Sequence, residues 1–361
     1  MYTVFYVPTG SFRTAPDLNK TRKEGYKFDY VLASCMNWRQ QKDQPVWEKG
    51  IIDTAFKGKY PDLAILAGDT IYLHHDSDID NEKGVKYDRV WYRHYQQRQE
   101  QHFAKFIANV PTYSTWNDHD YGENNTDRNQ KGKGVSLKAW KSLWANPGYA
   151  SNNPDDGVYY SFYWGPDVQF IVTDDHWDKN NQKKNRLGGK QTQWIENELI
   201  KSTAIFKIIV IGSDIMDNAY DDDLKNIGKI ITKYKISGVV FNAGDIHRNE
   251  FKQKSNNSIM PYPITQITSS GIAKSWRLPF VHIAVDTTKS DPQLTAYFYQ
   301  ISDKSPKDKD KNPFKHKWIN DRKLKCSDLF LSVGYKDKEN IQRHKENTCT
   351  ETIKLSQLTP I

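Results

Sequence analysis

Apolar runs bounded by turn residues recur along this chain, and most of them are nearly continuous. Such runs are typical of strands buried on both faces. They predict strands at Phe28–Cys35, Pro61–Asp69, Val110–Trp116, Val158–Trp164, Val168–Asp174, Phe206–Asp214 and Ile236–Asp245. Apolar residues at helical spacing predict helices at Pro45–Phe56, Tyr87–Asn109, Ser136–Asn146, Gln191–Ser202 and Leu224–Tyr234. This alternation of strands and helices favours an α/β fold.

The pattern changes towards the C-terminus, where apolar runs follow one another without intervening helices. These runs are Ile259–Ser269, His282–Thr287 and Leu294–Gln300. We predict that they form a second sheet, so that the chain folds as an α/β sandwich of two β-sheets flanked by helices. Residues 178–189 are basic and predict a mobile loop, while Ser302–Lys317 has the Lys/Asp-rich composition of a disordered linker.

Composition and charge narrow the function classes. The 361 residues, 37% of them hydrophobic, suffice for a large core. The net charge of +8 favours anionic substrates, but no nucleic-acid-binding motif is present, so specific binding of nucleic acid is not expected. No apolar run approaches the ~20 residues of a membrane span, and no export signal is visible. The sequence therefore predicts a soluble protein, and it leaves open whether Cys326 and Cys349 are bridged.

Metal-ligating residues follow several of the predicted strands. Because strand ends meet at one edge of an α/β sheet, these residues predict one polynuclear metal site. Its members are Cys35, Asp69 with Tyr72 close behind, Asp118, and Asp245 with His247. His119 and Asp120 are further donors in the short loop that carries Asp118. Asp174 and Asp214 also end strands, and we interpret them as structural.

The donor types indicate the metals and the chemistry. Carboxylates and imidazoles suit hard or borderline divalent ions, whereas a thiolate and a phenolate favour ferric iron. Two neighbouring ions can activate water and hold both reacting oxygens of a phosphoryl group. His119 could then protonate the leaving group or steady its charge, and Arg39 and Arg93 are candidate phosphate ligands.

Each of these residues also has a simpler interpretation. Cys35 alone would be an inert buried thiol, and Tyr72 a core or rim aromatic. The Gly-Asp pairs ending at Asp69 and Asp245 could be turns. Because the Gly-Asp and Gly-Asp-Ile-His motifs occur in the same chain, we interpret Cys35 as a ligand, whereas the ligand role of Tyr72 rests mainly on the family resemblance that follows.

Together the motifs resemble a known family. Ala-Ser-Cys35, Gly-Asp69-Thr-Ile-Tyr72, Trp-Asn-Asp118-His119-Asp-Tyr-Gly and Gly-Asp245-Ile-His247 are similar to those of the PhoD-like alkaline phosphatases, which are calcineurin-like metallophosphoesterases. The resemblance covers about residues 10 to 300 and implies the metallophosphoesterase-type sandwich of two mixed β-sheets flanked by helices.

The resemblance also implies the ligand set and the activity. It places Cys35, Asp69, Tyr72 and Asp245 around Fe3+, and Asp69, Asp118 and His247 at one or two divalent ions, expected to be Ca2+. It implies hydrolysis of phosphomonoesters or phosphodiesters by a metal-bound hydroxide. The expected substrate is a small phosphate ester, a lipid or a nucleotide, and the implied location is extracellular or periplasmic.

The same resemblance suggests a division of the chain. Residues 1–16 resemble the last strand and linker of an N-terminal β domain that is otherwise missing. Residues 17–301 form the expected catalytic domain, and residues 302–361 a Lys-rich linker and C-terminal tail.

Two departures from the family pattern raise an alternative. Asn117 stands where the family commonly has Asp, and Asp175-His176 replaces a pair that usually contains arginine. If that arginine holds substrate, this chain must use another cation. The alternative function is a catalytically impaired family member that binds a phosphorylated ligand or partner.

Overall fold

The secondary structure comes from a computed structural model that describes residues 14–18, 24–151, 153, 155–275, 277–300 and 349–360. The strands are β1 Lys27–Ala33, β2 Leu63–Ala67, β3 Ile79–Asp80, β4 Gly84–Val85, β5 Thr112–Thr115, β6 Tyr160–Trp164, β7 Val168–Val172, β8 Phe206–Ile211, β9 Val239–Ala243, β10 Glu250–Lys254, β11 Ile264–Thr268, β12 Phe280–Asp286, β13 Gln293–Tyr299 and β14 Cys349–Lys354. The α-helices are α1 Tyr87–Arg98, α2 Gln101–Ile107, α3 Asp118–Tyr121, α4 Lys133–Leu143, α5 Gly188–Lys201 and α6 Asp221–Tyr234.

Two six-stranded mixed sheets organise the fold. The first has the order β14-β13-β12-β1-β2-β5 and the second β10-β11-β9-β8-β7-β6. Strands β1, β2 and β5 are parallel neighbours, and so are β11, β9, β8 and β7. Each sheet therefore collects the carboxyl ends of its parallel strands at one edge.

The two sheets pack face to face, as the alternation along β1 illustrates. Tyr30 belongs to the core cluster shared with the second sheet, while Val31 belongs to the cluster that includes residues of α2 and α4. The Tyr30 hydroxyl donates to Asn242 Oδ1 at 2.8 Å, and its ring meets Phe170 edge-on at 5.3 Å. The predicted sandwich of two mixed sheets with helices is confirmed.

The assignment of the late strands to a separate second sheet is wrong in part. Only β11 joins the second sheet; β12 pairs with β1 and β13 pairs with β12 in the first. Tyr30, for example, pairs with Ile283. Strand periodicity reports local burial, but pairing between segments this far apart depends on the tertiary fold.

Two predicted helices differ from the structure. The helix predicted over Tyr87–Asn109 is divided into α1 and α2, because Glu100 caps α2 by accepting a hydrogen bond from the Phe103 N–H at 2.7 Å. The segment from Pro45 forms a 3₁₀ turn, Pro45–Trp47, followed by a π-helix, Glu48–Ala55.

The C-terminal segment returns to the first sheet. β14 pairs antiparallel with β13, and Ile353 and Leu358 are buried in the core cluster between the sheets. The division of the chain at residues 16 and 301 stays a prediction, and Tyr2–Val7, Ser302–Lys317 and Cys326 lie outside the described residues. Within the described ranges, no helix is long and apolar enough to cross a membrane.

We expect Ile353→Ala to lower the free energy of unfolding by about 2–5 kcal/mol, because it empties a buried core position. Thr352→Ala, on the exposed face of the same strand, should cost less than about 1 kcal/mol. Urea denaturation of both variants measures the difference. Equal, small effects would mean that β14 contributes little to the core.

Candidate metal centre

The carboxyl ends of both sheets converge on one cluster of ligand atoms. Atoms of Cys35, Asp69 and His247 lie within 4.8 Å of one another, and so do atoms of Asp69, Asp118 and His119. Asp69 belongs to both groups and joins them. The structure thus brings together residues that follow β1, β2, β5 and β9.

Asp69 is the hub of the contacts in the first group. Its Oδ2 lies 3.3 Å from Cys35 Sγ and accepts the Tyr72 hydroxyl at 3.0 Å. The Tyr72 oxygen is also 3.3 Å from His247 Nε2. Ser270 contacts both ends of this group, since its Oγ accepts the His247 N–H at 2.9 Å and lies 3.1 Å from Cys35 Sγ.

The stretch predicted as a short loop around Asp118 is instead the helical turn α3. Asp120 stabilises this turn rather than facing the ligand cluster. Its carboxylate accepts the Thr70 hydroxyl at 2.6 Å and the backbone N–H groups of Ile71 and Asn117 at 3.0 and 3.1 Å. Asp118, in contrast, belongs to the ligand cluster. Its Oδ2 accepts the Asn125 N–H at 2.7 Å.

The backbone is strained at four of the candidate ligands. Cys35, Asp69, Asp245 and His247 have φ values of 63°, 52°, 74° and 55°, a region that side chains other than glycine rarely occupy. Such strain costs of order 1–3 kcal/mol per residue and concentrates at functional sites. The strained residues follow buried strands, so the surrounding core holds them in place.

Two glycines permit this close approach of the strand ends. A Cβ on Gly244 would collide with the carbonyl oxygen of Ala67, which ends β2. Gly68 has a φ of 85°, and its Cβ would collide with the side chain of Asn117. The glycine in each Gly-Asp pair is therefore required by contact between the strands that deliver the ligands.

Burial and neighbouring charges raise the pKa of Asp69, Asp245 and Cys35. Burial first, and then the charges of Asp118, Asp120 and Asp245, raise the pKa of Asp69 well above its usual value. Burial and Asp118 raise the pKa of Asp245 to about 6, and burial followed by the charge of Asp69 raises that of the Cys35 thiol. A bound cation reverses such shifts, so the thiol, phenol, carboxylate and imidazole donors here fit metal ions.

Asp118 behaves differently from its neighbour Asp69. Although burial alone raises its pKa, the adjacent His119 and His176 and the Asn125 N–H outweigh burial and lower it. The ionised form is thus favoured at Asp118, while burial lowers the pKa of His119.

His119 combines a fixed backbone with an unsatisfied ring atom. Its N–H contacts Asp118 Oδ1 at 2.9 Å and Asp69 Oδ1 at 3.3 Å, and its ring lies 4.2 Å from the Tyr72 ring. Its Nδ1 is buried and has no hydrogen-bond partner among the described residues. This ring nitrogen is therefore available to a further hydrogen-bond partner.

The two predicted arginines stand beside the cluster. Arg39 and Arg93 line a pocket together with Tyr72. Arg93 is buried and forms a bidentate ion pair with Asp78 at 2.9 and 3.0 Å, whereas Arg39 is more exposed and lies 3.8 Å from the same carboxylate. Arg39 therefore has the freer guanidinium.

Asp174 and Asp214 serve the scaffold. Asp174 accepts the indole N–H of Trp116 at 2.7 Å and the Val158 N–H at 2.9 Å. Asp214 accepts from Gln266 at 2.8 Å and pairs with Lys252. Neither contacts the ligand cluster.

Asn117 also has a structural explanation. Its Nδ2 donates to the Gly212 carbonyl oxygen at 3.4 Å, and its Oδ1 accepts from Ser213 Oγ at 3.3 Å. A carboxylate could not donate the first of these bonds. Asn117 thus links α3 to the end of β8.

Two lysines near the cluster were not predicted from the sequence. Lys179 lies in the segment predicted as a mobile loop, yet it is buried; its ammonium donates to the Asn125 carbonyl oxygen and lies 3.3 Å from His176 Nε2. His176 in turn bonds the buried Asp175 at 2.9 Å. Lys274 lies over the Tyr72 ring at 4.7 Å. Neither lysine directly follows a predicted strand, so the pattern of apolar runs did not single it out.

Two mixed sheets flanked by helices, with acids, a thiol and imidazoles at a shared edge, form a sandwich of the metallophosphoesterase type. A sequence model of PhoD-like phosphatases matches residues 30–304. The chain belongs to the PhoD-like phosphatase family, and the resemblance inferred from the motifs is confirmed.

Two solved structures have a similar fold. One is PhoD, with a TM-score of 0.63 and 16% sequence identity over 81% of this chain and 72% of that chain. The other is the purple acid phosphatase PPD1 from yellow lupin (Lupinus luteus) seeds, with a TM-score of 0.54 and 11% identity over 79% of this chain and 53% of that chain. At these identities the likeness concerns the fold. No curated protein matches the chain in sequence.

Proposed function

We propose that this protein is a metal-dependent hydrolase of phosphomonoesters or phosphodiesters. Membership of a phosphatase family supports phosphoester hydrolysis. The dependence on metal is supported by one observation above all: two groups of candidate ligand atoms, one with Cys35 and His247 and the other with Asp118 and His119, share the buried Asp69.

Two neighbouring ion sites follow from the donor types. We assign Fe3+ to the side with the thiol and the phenol, and Ca2+ to the side with the second carboxylate and the imidazole. The first side comprises Cys35, Asp69, Tyr72 and Asp245; the second comprises Asp69, Asp118 and His247. Ions held there would activate water and offset charge on the phosphoryl oxygens.

The side chains around these donors have separate tasks. His119, whose Nδ1 has no hydrogen-bond partner in the described part of the chain, protonates the leaving oxygen or steadies its developing charge. Arg39 binds a phosphoryl oxygen through its freer guanidinium. Arg93, which is paired with Asp78, adds positive charge close to Arg39.

A hydrolysis assay tests the proposal. The purified protein is loaded with iron and calcium and given a chromogenic phosphomonoester and a chromogenic phosphodiester. We expect hydrolysis of at least one ester, lost on treatment with a chelator and regained when the metals are restored. Binding of phosphate without hydrolysis would instead favour the impaired, ligand-binding family member.

The assignment of iron predicts colour. A phenolate and a thiolate bound to Fe3+ give charge-transfer absorption, so Tyr72→Phe should bleach or shift a visible band of the loaded protein. Tyr92→Phe, on the exposed side of α1, should leave the band unchanged. A colourless, iron-free and fully active protein would refute the assignment.

The assignment of His119 predicts a loss of turnover with metal retained. We expect His119→Ala to lower kcat about 100-fold or more, the usual contribution of acid–base catalysis. Metal content, measured by elemental analysis, should stay intact because Asp118 is the assigned ligand. The exposed His75 provides the control His75→Ala. Joint loss of metal and activity in His119→Ala would show that His119 is a ligand.

A further inference from the structure

The loop after β11 is fastened to the segment that carries Cys35. The Ala273 N–H donates to the Cys35 carbonyl oxygen at 3.2 Å, and the Ala273 carbonyl oxygen accepts the Asn37 N–H at 2.9 Å. Gly271 donates its N–H to the Ser34 carbonyl oxygen at 2.9 Å. The backbone just before Lys274 is thus held beside the metal centre.

The side chain of Lys274 extends from this anchor over the centre. Its ammonium lies 4.7 Å from the centroid of the Tyr72 ring. The Tyr72 ring in turn lies 4.2 Å from the His119 ring, and the Tyr72 oxygen lies 3.3 Å from His247 Nε2. The ammonium group therefore lies over a ring that contacts residues of α3 and of the segment after β9.

No carboxylate pairs with Lys274 within the part of the chain that the structure describes. This sets it apart from the other cations near the centre. Lys179 donates to the Asn125 carbonyl oxygen and contacts His176, and Arg93 is paired with Asp78. The ammonium of Lys274 has three N–H donors, and its described contact is an aromatic face.

A phosphate ester adds a dianion or monoanion beside a cluster of buried acids, so its oxygens need a cation that the acids have not neutralised. We propose that Lys274 binds the phosphoryl group of the substrate at this centre, an inference that rests on the proposed function. The group it recognises is a non-bridging phosphate oxygen, common to esters and to inorganic phosphate. Lys274 supplies the cation that the Asp175-His176 pair does not.

Titration of the metal-loaded protein with inorganic phosphate, alongside the ester assay, tests the proposal. Lys274→Met keeps the packing on Tyr72 but removes the charge. We expect the Kd for phosphate and the KM for ester to rise about 10- to 100-fold, the range for a hydrogen bond to a charged group. The value of kcat should change less than KM, and Lys274→Arg should recover most of the affinity.

A matched control is Lys138→Met, because Lys138 also lies over a tyrosine ring, that of Tyr87 at 5.8 Å, but on the exposed side of α4. It should leave Kd, KM and metal content unchanged. Unchanged phosphate affinity and KM in Lys274→Met would overturn the proposal, as would loss of its metals, which would make Lys274 necessary for assembly of the centre.

The two proposals fail in different ways. If the wild-type protein hydrolyses neither ester but binds phosphate, and Lys274→Met weakens that binding, the hydrolase is refuted and the role of Lys274 stands. If the wild-type protein hydrolyses an ester and Lys274→Met does so with unchanged KM, only the role of Lys274 is refuted. Absence of phosphate binding by the wild-type protein refutes the role of Lys274 as well.

Discussion

Mutual repulsion among buried acids at one edge of two sheets is the constraint on which the rest of this structure depends. Asp69, Asp118 and Asp245 lie at this edge, and the charge of Asp118 adds to burial in raising the pKa of Asp69 and of Asp245. Burying such charges without compensation costs several kcal/mol per ion. The fold bears this cost because its large core, buried between and beside the sheets, holds the strand ends in place.

The same constraint accounts for the local chemistry of the loops. Small residues let the strand ends approach, as Gly244 does against Ala67, and the backbone at Asp69 and Asp245 is left-handed just beyond β2 and β9. The cations near the centre differ in their partners. Lys179 and Arg93 are held by internal partners, whereas Lys274 rests on an aromatic ring at the centre.

The sequence by itself determined the buried strands, the sandwich class and the family. Continuous apolar runs report burial on both faces, and ligating residues just beyond such runs must lie at a sheet edge. For that reason Cys35, Asp69 and His247 could be grouped before any contact was known, and the structure brings their ligand atoms together.

Only the tertiary structure decided the features that depend on long-range partners. It placed β12 beside β1, returned β14 to the first sheet, paired Arg93 with Asp78 and brought Lys274 over Tyr72. The pattern of apolar residues along the chain does not predict these contacts. It indicates how deeply a residue is buried, but it does not indicate which distant segment packs against that residue. The candidate ligands can therefore be found from the sequence, whereas the cations near them can be identified only in the folded molecule.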